Sequence, residues 1–137
     1  MDQVRLFTLE EANGTLPVLS QLIRKLQALR EKISRLEVEV DLLEIVSEQD
    51  EKEPSPAVNQ KLSAYQEEVN IFYEVLDQVH ALGCFLKDID AGLVDFYSNH
   101  AGQVVYLCWK LGEKEIGFWH EIGKGFTSRQ PLEEPPK

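Results

Sequence analysis

The stretch LSQLIRKLQALREKISRLEVEVDLL, residues 19–43, sets the architecture of the chain. Its apolar side chains return after alternating steps of three and four residues: Leu19, Leu22, Leu26, Leu29, Ile33, Leu36, Val40 and Leu43. This heptad spacing places apolar groups along one face of an α-helix. The stretch therefore predicts a long helix with a continuous apolar seam.

A second heptad run follows a charged break that contains two prolines, EQDEKEPSPA, at residues 48–57. The apolar positions of this run are Leu62, Tyr65, Val69, Phe72, Leu76 and Val79. Two heptad helices joined by a short polar loop predict an antiparallel, coiled-coil-like helical hairpin, with helices over residues 16–47 and 56–82.

The N-terminal segment carries the signature of a helix start. Thr8 and Glu11 have the spacing of a capping box, in which each side chain accepts from the backbone N–H of the other residue. Asn13-Gly14 then predicts an interruption, and Pro17 suits the first turn of a new helix. We therefore expect a short opening helix that gives way to the long one near Thr15.

Beyond Gly83 the spacing of apolar residues becomes that of β-strands. Four extended runs are predicted at residues 84–89, 93–97, 104–111 and 116–122, separated by short turn segments. The predicted fold class is α+β, a long antiparallel helical hairpin followed by a small C-terminal antiparallel sheet. We expect one domain over residues 1–130, with the hairpin in 1–83, the sheet in 84–122, and a flexible tail at 131–137.

The register of the last two strands follows from the turn assumed between them. A two-residue turn at Glu113-Lys114 would set Leu107 opposite His120. Because side chains alternate between faces, one face would then be nearly all apolar and lie against the helices. Its members would be Val105, Leu107, Trp109, Leu111, Ile116, Phe118 and His120. Cys108, Trp119 and Glu121 would share the opposite face with Tyr106.

Composition excludes several classes of function. The 137 residues suit one domain, and the net charge of −10 opposes binding to a phosphate backbone or an anionic membrane. No segment has the length and apolarity of a signal peptide or a membrane span. The two cysteines, Cys84 and Cys108, lie in apolar runs and form no C-x-x-C pair, which indicates buried, reduced thiols in a cytoplasmic protein.

The candidate site centres on Asp95 and His120, two ionisable residues in otherwise apolar runs. A pairing of residues 92–97 with residues 104–108 could place Asp95 on the same face as His120, two strands away. A buried carboxyl group needs a partner, which His120, Arg129 or Lys87 could provide. Such a pair can be structural, can bind a metal, or can serve as a general base. The candidate residues are Asp95, His120, Glu113, Glu121, Arg129, Trp109 and Trp119.

The sequence leaves the kind of site open. No known metal-ligand spacing such as H-E-x-x-H is present, and no cofactor or substrate is indicated. A nucleophilic Cys108 is disfavoured because the predicted register puts it on the face opposite His120, where no base would activate it. Trp119 favours an interface over a ligand.

The predicted helices carry more apolar surface than one hairpin can cover. The residues outside the seams are Val38, Leu42, Ile45, Val46, Ile71 and Tyr73. The C-terminal part of the chain or a second copy of the chain could bury them. A homodimer is favoured, with a role as a protein-interaction or assembly module. A metal-dependent or general-base enzyme, or a small-ligand-binding protein, is the alternative.

Three motifs resemble a known family. FTLEEAN (residues 7–13), KDIDAGLVDF (87–96) and VYLCWKLGEKEIGFWHEIGKGFTSRQPL (105–132) are similar to the bacterial family called domain of unknown function 2203. The resemblance implies a small cytoplasmic protein. It implies no activity, cofactor or catalytic residue.

Overall fold

A computed structural model describes residues 5–49 and 56–132, with backbone alone for residues 47–49. The elements are α1 (Leu9–Gln49), α2 (Pro56–Ala81), β1 (Phe85–Asp88), β2 (Leu93–His100), β3 (Gln103–Lys110), β4 (Phe118–Glu121), a 3₁₀ turn (Phe126–Ser128) and β5 (Gln130–Pro131). The predicted α+β class is confirmed: two helices precede a five-stranded antiparallel sheet. No helix among the described residues could span a membrane.

Helix α1 begins where the capping box predicts. The Thr8 N–H donates to Glu11 Oε1 (2.8 Å), and the Glu11 N–H donates to Thr8 Oγ1 (3.1 Å). The predicted break near Thr15 is wrong, since α1 continues through Asn13-Gly14 and holds Pro17 inside it. The apolar face runs on across this segment, because Ala12, Leu16, Leu19 and Ile23 are all buried. Burial of this face outweighs the local cost of glycine and proline.

The seam predicted for α1 is the shielded face of the helix. None of its eight residues is exposed, and Leu19, Leu26, Leu29 and Val40 are buried. In α2 the seam is shielded from Tyr65 to Val79, whereas Leu62 is 44% exposed. The periodicity therefore identified the packing face along most of both helices.

Two ion pairs fix the antiparallel course of the hairpin. Lys32 Nζ lies 2.8 Å from Glu68 Oε1, and Glu39 Oε2 lies 2.8 Å from Lys61 Nζ. A step of one heptad forward along α1 thus matches one heptad back along α2. The predicted loop at residues 48–57 lies mostly outside the described residues, as does the tail beyond Leu132.

The chain divides into two compact units. One comprises Met1–Ile23 and Gln78–Lys137, and the other comprises Arg24–Asp77. The first unit contains the entire sheet, whose strands are ordered β1-β2-β3-β4-β5, each beside its neighbours in the sequence. The N-terminal segment is tied to this sheet, because the Phe7 N–H donates to Tyr97 O and Ser98 Oγ donates to Phe7 O, both at 2.7 Å.

The β2–β3 turn is tighter than the sequence indicated. Ser98, Asn99 and His100 were expected in a loop but extend β2, and only Ala101-Gly102 connects the strands. Both turn residues have positive φ, 53° and 80°, as a two-residue hairpin turn of the favoured twist requires. The pairing that results sets Asp95 opposite Cys108.

The predicted register of β3 and β4 is wrong by one residue. Tyr106, not Leu107, lies opposite His120, and Cys108 lies opposite Phe118. The connection is a long loop over residues 111–117 and not a two-residue turn at Glu113-Lys114. This shift moves every β4 side chain to the other face, so that His120 and Phe118 leave the apolar side.

Both neighbouring and distant residues hold this loop. The Ile116 N–H donates to Asn13 Oδ1 (2.8 Å), and the Trp109 indole N–H donates to the Glu113 carbonyl oxygen (3.0 Å). The Glu113 carboxylate accepts from the backbone N–H of Lys110 and from Arg129. The loop conformation therefore depends on tertiary contacts that a local turn rule does not contain.

Candidate functional site

The face of the sheet that carries Asp95 also carries Cys108 and His120. Asp95 lies on β2, Cys108 on β3 directly opposite it, and His120 on β4 opposite Tyr106. The Asp95 and His120 side chains reach toward each other over β3. The three residues, which we call the Asp–Cys–His cluster, are all buried, with exposures of 4%, 2% and 2%.

The expected contact between Asp95 and His120 is present. His120 Nε2 lies 3.1 Å from Asp95 Oδ1, and His120 Nδ1 lies 3.1 Å from the backbone oxygen of Glu121. A carbonyl oxygen only accepts, so Nδ1 carries the proton in this contact. The lone pair of Nε2 then faces Asp95 Oδ1. Because both atoms are acceptors, a positively charged species must lie between them. A shared proton or a metal ion can fill this role.

The environment of the Asp–Cys–His cluster shifts the pKa values of Asp95 and Cys108. Burial raises the pKa of Asp95, while the charge of His120 and its hydrogen bond oppose that rise. Burial also raises the pKa of the Cys108 thiol to about 12, and the charge of Asp95 adds to the effect. The thiol therefore stays protonated at neutral pH and hydrogen-bonds to the Asp95 carboxyl group.

The Asp–Cys–His cluster has the donor set of a transition-metal site. One ligand atom from each residue lies within 4.8 Å of the other two. Zinc bonds of about 2.0–2.3 Å would hold these atoms roughly 3.5 Å apart, so the side chains need to close by no more than about 1.3 Å. The Nδ1 contact with a backbone carbonyl is the usual arrangement that orients a metal-binding histidine.

A cavity of about 340 Å³ opens beside the Asp–Cys–His cluster. Its wall includes Lys87, Tyr106 and Lys124, and residues 123–126 form one side. The volume lies at the lower end of the range for small-ligand pockets, about 300–1,000 Å³. The cluster is therefore buried yet adjoins a space that a small molecule can enter.

The remaining candidate residues do not join the Asp–Cys–His cluster. Arg129 Nη2 donates to both oxygens of Glu113 (3.0 and 2.8 Å), and its guanidinium lies 3.7 Å from the Phe118 ring centroid. This pair secures the loop before β4 to the segment after it. It therefore supports the strand that carries His120.

Trp109, Trp119 and Glu121 lie on the opposite face of the sheet. Trp109 is 1% exposed, whereas Trp119 is half-buried and its ring centroid lies 4.9 Å from that of His100. Glu121 lies 3.4 Å from Lys124 Nζ. The expectation that Trp119 shares a face with Tyr106 is wrong, for the same one-residue shift that moves His120.

The sequence did not predict Cys108 in the cluster, because the predicted registers placed Asp95 and His120 on the other face of the sheet. The signal that could have found it is the Ala101-Gly102 turn, because a two-residue connection there pairs Asp95 with Cys108. Tyr106 also has a larger part than expected, since it lies opposite His120 with ring centroids 5.2 Å apart. Lys124 entered no prediction, and its place in the cavity wall follows from the turn after β4.

The fold and the site together define a small α+β protein with a buried polar cluster at a cavity on its sheet. A family model described as "Uncharacterized conserved protein (DUF2203)" matches residues 5–132. The chain belongs to this family, in agreement with the resemblance of its three motifs. Searches of the curated proteins and of the solved structures found no match.

Proposed function

We propose that this protein binds a transition metal ion, with zinc the best match, through Asp95, Cys108 and His120. The observation that carries the proposal is the convergence of a carboxylate, a thiol and an imidazole within 4.8 Å. Zinc sites that act on small molecules use three protein ligands and leave one position for water or ligand. The adjoining cavity supplies room for that fourth ligand. The protein is thus a metal-dependent small-ligand-binding protein. Its open fourth position is also the arrangement that zinc enzymes use.

Cobalt(II) is the probe that tests this proposal, because it replaces zinc and its spectrum reports on thiolate ligands. The purified chain is expected to bind one cobalt ion and to develop a thiolate charge-transfer band. Cys108→Ser should abolish that band and lower zinc affinity by more than about a hundredfold, since loss of outer-shell partners alone costs about 10- to 100-fold.

Cys84→Ser is the matched control for this experiment. Cys84 is also buried, and its thiol donates to the Val79 carbonyl, but it lies outside the Asp–Cys–His cluster. The control should keep both the band and the affinity. A folded wild-type chain that shows no thiolate band with cobalt would contradict the proposal.

A second candidate function, protein interaction, is favoured by an exposed apolar stripe on α1. Val38, Leu42, Ile45 and Val46 are 54–60% exposed and recur at helical spacing. We infer that a second copy of the chain covers this stripe, as the predicted homodimer requires. The stripe is bordered by acidic residues, and residues 36–49 contain no lysine or arginine. Like charges of two copies would therefore oppose each other at the rim of the contact.

Self-association through this stripe is expected to strengthen as salt is added, because salt screens the repulsion between the two acidic rims. Light scattering at micromolar concentration should give twice the chain mass, and Leu42→Glu should give the monomer mass. Gln21→Glu adds the same charge at another exposed position of α1 and serves as the control. A monomer at every salt concentration would leave the stripe to a different partner and refute the homodimer.

A further inference from the structure

The cavity beside the Asp–Cys–His cluster has a charge opposite to that of the chain. The chain carries a net charge of −10, yet the cavity wall holds Lys87 and Lys124. Among the residues that the structure describes, Asp95 is the only acidic one in that wall, and its carboxyl group is already engaged by His120 and Cys108. The wall therefore offers positive charge to whatever enters the cavity.

The two lysines approach the cavity from different elements. Lys87 lies on β1, with its Nζ 5.0 Å from the Tyr106 ring centroid and 5.5 Å from the Phe85 ring centroid. Lys124 follows β4 in the turn that begins at Gly123, and its Nζ lies 3.4 Å from Glu121 Oε2. The pair of Lys124 and Glu121 is exposed and therefore weak, so the Lys124 ammonium group can turn from Glu121 to an anion in the cavity. Together with Lys87 it suits an anion with several oxygens.

The segment after β4 leaves room near the backbone. Gly123 has φ +89°, and a Cβ built at Gly123 or Gly125 would have no atom within 4 Å. Tyr106 adds a hydroxyl group to the polar wall. Its hydroxyl oxygen lies 3.2 Å from that of Tyr97.

We propose that the cavity binds a small organic anion through a carboxylate or phosphate group. This inference rests on the proposed metal site, because one oxygen of the anion would occupy the fourth ligand position of the metal held by the Asp–Cys–His cluster. Lys87 and Lys124 pair with the remaining negative charge. The cavity volume of about 340 Å³ restricts the ligand to a small molecule.

Inorganic phosphate is the probe for this site. Added to the cobalt-loaded chain, phosphate is expected to shift the visible cobalt spectrum in a saturable manner, whereas sodium chloride at equal ionic strength is not. Lys87→Gln and Lys124→Gln should each weaken phosphate binding about tenfold, the scale of one lost charge-assisted hydrogen bond. Lys114→Gln is the control, because Lys114 is exposed and lies outside the cavity wall.

The outcomes separate the two proposals. Cobalt binding with an intact thiolate band and no response to phosphate would overturn the anion site and leave the metal site standing. If the chain does not bind cobalt, thermal stabilisation of the metal-free chain by phosphate, lost in Lys87→Gln, would support the anion site alone. An equal loss of phosphate binding in Lys114→Gln would overturn it, because the effect would then be one of net charge.

Discussion

Replacing Asp95 by alanine is expected to destabilise the fold by about 3 kcal/mol, the scale for leaving a buried partner unmatched. Asp95 is 4% exposed and contacts both His120 and the Cys108 thiol. Without the carboxyl group, His120 Nε2 would lose its side-chain partner at a buried position. Urea unfolding followed by tryptophan fluorescence measures the loss.

Asp95→Asn is the matched variant, since it keeps the size and one acceptor oxygen. We expect it to lose about 1 kcal/mol, because the side-chain amide can still donate an N–H to the Nε2 lone pair. Equal losses in the two variants would mean that the carboxyl proton has no part in the contact. An unchanged stability in Asp95→Ala, together with lost cobalt binding, would assign Asp95 to metal binding alone.

The stabilisation that Asp95 gives should depend on pH. Burial raises the pKa of Asp95 in the folded chain above its value in the unfolded chain, about 3.9. The folded state therefore holds this proton more tightly. The resulting stabilisation is fully present below about pH 3.9 and is lost as the pH rises through the folded pKa. The free energy of unfolding of wild type minus that of Asp95→Asn should fall across this window, and a rise would show that the fold favours the ionised carboxylate.

Replacing Gly92 by alanine is expected to cost about 3 kcal/mol of stability for two separate reasons. Gly92 has φ +67°, a conformation that costs other residues about 1–2 kcal/mol. A methyl group there would also overlap the Cβ of Leu111, whose N–H donates to the Gly92 carbonyl at 2.9 Å. Relief of such crowding costs about another 1–3 kcal/mol.

Gly102→Ala separates the two costs. Gly102 has φ +80°, but a Cβ built there would meet no atom within 4 Å. Only the conformational penalty applies, so the variant should lose about 1 kcal/mol. Urea unfolding of both variants gives the comparison. Equal losses at the two positions would mean that Leu111 moves aside without cost.

The helices were predictable because their signal is local and repeated. Each seam residue supports the same 3.6-residue period, so an error at one position, such as the expected break at Asn13-Gly14, leaves the rest of α1 unchanged. The capping box of Thr8 and Glu11 lies within one turn and was also predicted correctly. Four apolar residues outside the seam of α1 are exposed, namely Val38, Leu42, Ile45 and Val46.

The sheet register was not predictable by the same means. Strand side chains alternate with a period of two, so one extra loop residue inverts the whole of β4. That loop is held by Asn13 and Arg129, residues more than ten positions away from it. The contact between Asp95 and His120 was still predicted, because the predicted faces of both residues were wrong in the same way. Cys108 was not predicted beside them, because the face of its own strand was not inverted.

The order of the strands bears on how the protein folds. Every strand pairs with its neighbours in the sequence, so the sheet forms through short chain closures, which are fast. The Asp–Cys–His cluster lies wholly within three successive strands. The Phe7–Tyr97 hydrogen bond instead joins segments separated by almost the whole chain. We therefore expect the cluster to assemble with the sheet early in folding, before the N-terminal segment docks.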